Sequence, residues 1–359
     1  MDDTLPPQCD KSRRHDDASQ MTNLGQETNL GQRANLGWTD FFADQVTDDE
    51  THLVPCRIAQ VHRARLSGLS AAGPVRLNLP VGTNTGEYAV GDWVLVDPQT
   101  QDLCRRLERR TLLQRPVDGQ VLPQLAAANV DTLFIVTSCN ADFNPARLER
   151  YLAMANEAGT TPVMVLTKAD LVTDGRAYAD EAAALQRDLA VVTVNGRSAE
   201  AIAALMPWCQ PGQTIALAGS SGVGKSTLVN TLSGADQVTG GVREHDDKGR
   251  HTTTARSLHA MAGGGWIIDT PGIRNLHVGN FTAGIDTLFA EITELAPQCK
   301  FSDCSHDHEP GCAVRAAVAS GELDQDRLTR WRKLSEENAG NTQVLTGPRG
   351  NRTTQRPRR

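Results

Sequence analysis

Between Val54 and about Arg115 the chain alternates apolar and polar residues in short runs, "CRIAQVHRARL", "GPVRLNLP", "GEYAVGDWVLVD" and "LCRRLERRTLLQR", punctuated by Gly, Pro and Asn. A period of two with such punctuation predicts short antiparallel strands, and residues 51–115 are expected to form a small OB-type β-barrel. The pattern then changes. "VDTLFIVTS", "PVMVLTK", "AVVTVN" and "TIALAG" are apolar runs separated by helical segments, one of them opened by "NPARLERYLAMANEAG". Strands alternating with helices at this spacing predict a mostly parallel sheet with helices on both faces, assigned to residues 116–283. Ligands in such sheets bind beyond the carboxyl ends of the strands.

The flanks read differently. The first 50 residues are polar and acidic and carry a near-repeat, "TNLGQE", "TNLGQR", "ANLGW", beginning at Thr22, Thr28 and Ala34. Three short polar copies cannot build a solenoid. Residues 1–50 are therefore expected to be a mostly disordered extension, with Trp38, Phe41 and Phe42 as an anchor near its end. Residues 284–340 form a mainly helical C-terminal domain, and 341–359 a basic disordered tail whose "GPRGNRTTQRPRR" has five Arg and no acid. Such a tail either tracks RNA phosphates or only solubilises. The fold class is thus multidomain α/β, as a chain of 359 residues allows.

Composition narrows the function. With 43 acidic against 36 basic residues the net charge is -7, which argues against indiscriminate nucleic-acid coating and leaves room only for a local basic patch. The predicted barrel holds one candidate in Arg57, Arg63, Arg65, Arg105, Arg106, Arg109 and Arg110. A nucleic-acid face and an ordinary solvated barrel face both account for it. No run approaches the roughly 20 apolar residues of a membrane span, and the N-terminus lacks a signal peptide's apolar segment, so a cytoplasmic protein is expected. Five of the eight cysteines are scattered, while Cys299, Cys304 and Cys312 crowd together, which fits a reducing compartment and a metal.

The chemistry concentrates in a few stretches. Gly219-Ser220-Ser221-Gly222-Val223-Gly224-Lys225-Ser226 fits Gly-x-x-x-x-Gly-Lys-Ser, directly after the strand "TIALA" and before the helical "TLVNTL". Glycines let backbone amides turn toward phosphates, Lys225 neutralises β and γ oxygens, Ser226 ligates Mg²⁺, and the helix N-terminus favours the anion. "WIIDTPG" ends a strand with Asp269 and places Gly272 three residues on, a carboxylate for the Mg²⁺ water shell and an amide that senses a γ-phosphate. Between them lies "DDKGRHTTTARSLHA", where one of three threonines, with Thr253 preferred, would close on Mg²⁺ in the triphosphate state.

Upstream of the phosphate loop stands "VLTKAD". At the end of a buried strand, Asp170 can accept from guanine's ring NH and exocyclic amine, a pair that adenine does not offer. The order base reader, phosphate loop, threonine switch, Asp-x-x-Gly is the GTPase set cut and rejoined at another loop. A circular permutation keeps the sheet's neighbours while moving the termini, so the pocket survives.

Further on, Cys299, Cys304, His306 and Cys312 form Cys-x4-Cys-x-His-x5-Cys, the donor set of a closed tetrahedral Zn²⁺ site. His308 competes as fourth ligand, with His306 preferred. Four protein ligands leave no open position, so the zinc is expected to be structural.

Taken together, the permuted order, "GRHTTT", "DTPGIR" and above all "CKFSDCSHDHEPGCAV" closely resemble the ribosome small subunit-dependent GTPase A family, RsgA or YjeQ, from about "LGWTDFF" to "RWRKLSEE". The resemblance implies an N-terminal OB barrel, a central circularly permuted G domain and a C-terminal zinc domain. It also implies GTP hydrolysis stimulated by the small ribosomal subunit, whose late maturation the protein would assist as a monomer in contact with rRNA. It carries base reading to Thr167, Lys168, Ala169 and Asp170, phosphate and Mg²⁺ binding to Gly219 through Thr227, and zinc binding to Cys299, Cys304, His306 and Cys312. Thr167 stands where many GTPases have Asn, and Ile273 follows "DTPG" where Ras-like enzymes keep a water-orienting Gln. Ile cannot orient water. His251 beside the threonines is the candidate for that task, against the alternative that it contacts phosphate or rRNA. Two other classes stay open on the residues alone: a P-loop ATPase or kinase, in which "TKAD" is accidental, and a non-catalytic RNA-binding module that only senses nucleotide.

Overall fold

The computed structural model describes residues 31–115, 123–195, 199–234, 256–269 and 281–341, with the short strand pair 344–346 and 352–354. The first copy of the near-repeat, the first half of the second and most of the Arg-rich tail lie outside the described residues.

Strands β1 (Val54–Val61), β2 (Leu66–Ser70), β3 (Gly73–Leu77), β4 (Trp93–Val96) and β5 (Leu103–Arg106) are antiparallel neighbours in the order β3-β2-β1-β4-β5. One parallel bridge, Asn78 to Asp102, joins the ends of β3 and β5. Period-two alternation along β1 sends Cys56 and Ile58 into a small core with Leu66, Leu77, Val94, Val96 and Leu103. Arg57 faces the other way. A second strand pair follows, β6 (Leu112–Arg115) with β7 (Gln124–Ala128).

The central sheet then begins with β8 (Thr132–Ser138), β9 (Thr161–Thr167), β10 (Ala190–Val194) and β11 (Thr214–Ala218), and ends with β12 (Ser257–Ala260) and β13 (Trp266–Asp269). Its order is β10-β9-β8-β11-β13-β12, parallel except for β12. The sheet is mixed, and β12 continues into β1 through the pair Gln60 and Ser257, so the N-terminal strands share one hydrogen-bonded network with the central ones. β8 and β11 are buried at every position, because both faces are covered. Leu133, Ile135, Met164, Leu166 and Ala216 point to one core, while Phe134, Val136, Val163, Val165 and Ile215 point to the other.

Helix α1 (Pro145–Glu157) covers the first face. Asn144 caps it by accepting from the Arg147 amide, and Pro145 occupies its first turn, where no N–H is needed. Its Leu148, Tyr151 and Leu152 are buried against the sheet, each contributing about 1.5–3 kcal/mol of apolar burial. Helices α2 (Gly175–Ala183) and α3 (Ala199–Leu205) link the strands, and α4 (Lys225–Ser233) follows β11.

The C-terminal region contributes α5 (Thr282–Leu288), α6 (Ala290–Leu295), α7 (Ala313–Ser320) and α8 (Gln325–Asn341). α5 lies so close to α1 that a Cβ on Gly284 would stand 2.0 Å from the Ala153 carbonyl oxygen. Only glycine permits that approach. The contact is sealed by Glu157, which accepts from the Gly284 amide at 2.8 Å, and by Phe281, Ile285, Leu288 and Phe289 in the same core as Leu152.

Candidate nucleotide site and metal cluster

From β8 the chain moves outward through β9 to β10, and β11 then returns to the other side of β8. That reversal of strand order opens a crevice between the carboxyl ends of β8 and β11. The phosphate-loop residues fall there. Gly219 has φ +138, and a Cβ on it would lie 2.1 Å from the Val136 carbonyl oxygen, so the turn out of β11 requires glycine. Ser221 and Gly222 are exposed, Val223 is buried, and α4 starts at Lys225 with Ser226 and Thr227 in its first turn. The Lys225 ammonium donates to the Gly219 carbonyl at 2.8 Å and to that of Ser220. Ala216 pairs with Ile268, which brings Asp269 level with the strand end that leads into this loop.

Thr167 closes β9 and is buried. Its hydroxyl donates to the Val223 carbonyl at 2.6 Å and lies 3.1 Å from the Thr137 carbonyl. The first residue of "TKAD" is therefore bonded to the middle of the phosphate loop, across the crevice. Lys168 has φ +57, which turns the chain sharply so that Ala169, Asp170 and Leu171 form a short 3₁₀ turn with Asp170 exposed. His251, Thr253 and Gly272, with Ile273, lie outside the described residues.

Two features of α1 were not apparent from sequence. Arg147, in the first turn of α1, donates to the Ser220 hydroxyl at 2.7 Å. Two residues on, buried Glu149 accepts from Arg327 at 2.9 Å and from Arg330 at 2.9 Å, both on α8. Arg327 also bonds Glu291 and the Leu288 carbonyl and lies 4.1 Å over the Phe289 ring. Arg150 adds a two-pronged bond to Glu337. A polar first turn a short loop after the end of β8 was the available signal for Arg147; the Glu149 cluster had none, because its partners are far away in sequence.

At the C-terminal cluster, ligand atoms of Cys299, Cys304, His306 and Cys312 all lie within 4.8 Å of one another. Cys299 and Cys312 sulfurs are 3.8 Å apart, and His306 Nδ1 is 3.5 and 3.4 Å from them. A tetrahedron with Zn–S arms of about 2.3 Å and a Zn–N arm of about 2.0–2.1 Å has edges of about 3.8 Å between sulfurs and about 3.5 Å between sulfur and nitrogen. The donor set fits zinc in kind, and the Cys299, Cys312 and His306 atoms fit it in spacing. His308 is exposed and faces Asp307, so His306 is the histidine the cluster uses. Burial, with Arg332 nearby, pushes His306 below its ordinary pKa, which favours the neutral imidazole that binds metal.

The loop carrying His306 is folded around Glu309, whose carboxylate accepts from the amides of Ser305, Asp307 and His308. Those bonds, with the Ser305 hydroxyl first, hold the Glu309 carboxyl well below the usual range. Arg332 donates to the His306 carbonyl, and Trp331 packs on the His306 ring at 5.5 Å. Cys312 caps α7 by accepting from the Arg315 amide at 3.4 Å.

The arginines of the N-terminal strands divide. Arg57 is fully buried; Arg105 pairs with Glu50, Arg109 with buried Asp92 and Arg110 with Asp131. Much of the arginine density noted in the sequence thus serves packing and ion pairing inside the chain.

A strand-reversal crevice with a Gly-x-x-x-x-Gly-Lys-Ser loop, and the Thr-Lys-Ala-Asp strand end that precedes it in the chain, define a circularly permuted P-loop GTPase core, joined here to a C-terminal region bearing a Cys/His cluster. The chain belongs to the RsgA GTPase family. The model described as RsgA GTPase matches residues 106–279. The Small ribosomal subunit biogenesis GTPase RsgA of Mesorhizobium japonicum is 66% identical over 317 residues, covering 87% of this chain and 92% of that one. The protein named Small ribosomal subunit biogenesis GTPase RsgA 2 of Vibrio parahaemolyticus is 46% identical over 315 residues, 87% of each. Among solved structures, YjeQ from Thermotoga maritima superposes with TM-score 0.61 at 25% identity, over 80% of this chain and 99% of that one. YloQ, described as a circularly permuted GTPase, gives 0.58 at 25% identity, over 81% and 97%. Among the described residues no helix is long and apolar enough to cross a membrane.

Proposed function

We propose that this GTPase binds the small ribosomal subunit, assists its late maturation, and hydrolyses GTP to GDP and phosphate faster when bound there. The observation that carries the chemistry is the bond from Thr167 to Val223, which ties the strand that would read the base to the loop that would hold the phosphates. The partner rests on the relatives named as small ribosomal subunit biogenesis GTPases. Thr167, Lys168, Ala169 and Asp170 form the base site, with Asp170 pairing to guanine. Gly219 through Thr227 cradle the phosphates, Lys225 neutralises them, and Ser226 with Asp269 would hold Mg²⁺, which shields charge on the β- and γ-oxygens. Water attacks the γ-phosphorus, the bond to the β–γ bridging oxygen breaks, and the proton of the water passes to the released phosphate. Thr253 and Gly272 would close on the triphosphate, and His251 would orient the water.

Cys299, Cys304, His306 and Cys312 would hold one zinc ion, whose role is to staple the C-terminal domain. The five N-terminal strands are read as an OB-type barrel closed by the Asn78–Asp102 bridge, with residues 51–115, 116–283 and 284–340 as barrel, G domain and zinc domain. Barrel and zinc domain would contact the subunit and its rRNA, and the protein would act as a cytoplasmic monomer.

The test is steady-state GTP hydrolysis with purified small subunits, against large subunits and ATP as controls. Stimulation by the small subunit alone, with GTP preferred over ATP, is the expected result. Tight GTP binding without stimulation would refute the partner; equal use of ATP would refute the base site.

A further inference from the structure

The structure places a cation at the phosphate loop that none of the motifs accounts for. Arg147 sits in the first turn of α1, and its guanidinium donates to the Ser220 hydroxyl at 2.7 Å. Ser220 is the second residue of the loop, and its carbonyl accepts from Lys225. Among the described residues no carboxylate lies within ion-pair distance of Arg147, although its neighbours on the same helix, Glu149 and Arg150, are both paired. The side chain is exposed at its end but rooted in a fixed base. Asn144 caps the helix through the Arg147 amide, and Glu149, two residues on, is buried and held by Arg327 and Arg330. A long side chain anchored in this way reaches its target at less entropic cost than one on a loop.

We infer that Arg147 is a positioning residue for nucleotide binding, acting through Ser220. It holds the hydroxyl of the loop's second residue and so fixes the backbone on which the amides and Lys225 are arrayed, while its charge, not neutralised by an acid, favours an anionic ligand beside it. The inference rests on the GTPase reading of the loop. It adds to it a residue outside the loop, on the helix that also carries the ion cluster to α8.

The test is a double-mutant cycle on the full-length protein, using a fluorescent GDP analogue and equilibrium titration. Arg147→Ala and Ser220→Ala are each expected to weaken binding about three- to tenfold, the range of a solvent-accessible bond from a charged donor. The double variant is expected to bind no worse than the weaker single one, because each change breaks the same contact. Arg147→Lys, which keeps charge and donor, should recover a large part of the loss; a role confined to helix packing would not be rescued in this way. Effects that multiply in the double variant would overturn the inference, as would an Arg147→Ala protein that binds like the wild type. Wild-type protein titrated with guanine and adenine nucleotides separates the two levels: failure to prefer guanine refutes the underlying reading, whereas guanine preference with a multiplicative cycle refutes Arg147 alone.

Discussion

Thr167→Val isolates the contact on which the nucleotide site turns. The substitution keeps the β-branched shape in a site where Thr167 is buried, and removes one donor. The single hydroxyl proton goes to the nearer acceptor, the Val223 carbonyl at 2.6 Å, with the Thr137 carbonyl at 3.1 Å as the second candidate. β9 itself should persist, since Thr167 remains in register with Val194 and Ser138 and the Cys139 amide still donates to its carbonyl. The cost therefore falls on the loop. A buried acceptor left without a partner costs about 1–3 kcal/mol. Loss of that size from the binding-competent loop weakens nucleotide binding about 5- to 150-fold at 1.4 kcal/mol per decade. Titration with a fluorescent GDP analogue reads the affinity directly, and Thr167→Ser, which keeps the hydroxyl, should bind within about threefold of wild type, since only a methyl group is lost. Thermal unfolding in the absence and presence of GDP provides the second readout: the variant should melt close to wild type without nucleotide and gain less from it. A Thr167→Val protein that binds GDP within about twofold of wild type would show that the bond does not position the loop.

Three further expectations rest on the same geometry. Cys304→Ser should abolish stoichiometric zinc, measured by a chelator-release assay, while guanine nucleotide affinity stays within about threefold, because the cluster lies outside the crevice and a structural zinc contributes through folding of its own region. Glu149→Ala leaves Arg327, only 8% exposed, with Glu291 as its remaining acid, and should cost about 3 kcal/mol in denaturant unfolding, the lower end for breaking a buried pair. At the N-terminal strands, hydrogen bonding from Arg105 holds the Glu50 carboxyl down at about 2 against 4.5 for the free group. A depressed folded-state pKa means that this contribution is present above pH 4.5 and is lost as pH falls toward about 2. Arg105→Gln should flatten that part of the acid-unfolding curve, and an unchanged slope would refute the pairing.

The features visible in the sequence were local, and those hidden from it were joined across the chain. β8 and β11 announced themselves as uninterrupted apolar runs because both of their faces are buried. The Cys/His cluster was legible because its four donors sit within one short loop, and the phosphate loop because its glycines and lysine are contiguous. Thr167 read as a weak stand-in for Asn, yet its hydroxyl makes the crossing bond; the acceptor is 56 residues away, and no spacing rule reaches that far. The arginine-rich sequence of the N-terminal strands left two readings open since charge alone does not reveal partners. Arg109 and Asp92, or Arg105 and Glu50, are pairs only in the folded chain. Glu309 was passed over between two more conspicuous residues, His308 and Cys312, although three backbone amides converge on it.

Arg57 gives the N-terminal strands a mechanical character that their sequence, so distinct from that of the central sheet, conceals. Its buried guanidinium donates to the Leu36 carbonyl at 2.6 Å, to Thr214 Oγ1 at 2.8 Å and to the Asn129 carbonyl at 3.3 Å, and burial above all draws its pKa down to about 10. One side chain from β1 thus grips the segment before the N-terminal strands, the turn before β8 and the first residue of β11, the strand that runs straight into Gly219. A rivet of this kind transmits torque where a linker would dissipate it. Force applied to the N-terminal strands by a bound partner would arrive at the base of the Gly219 loop through the fully buried strand Thr214–Ala218.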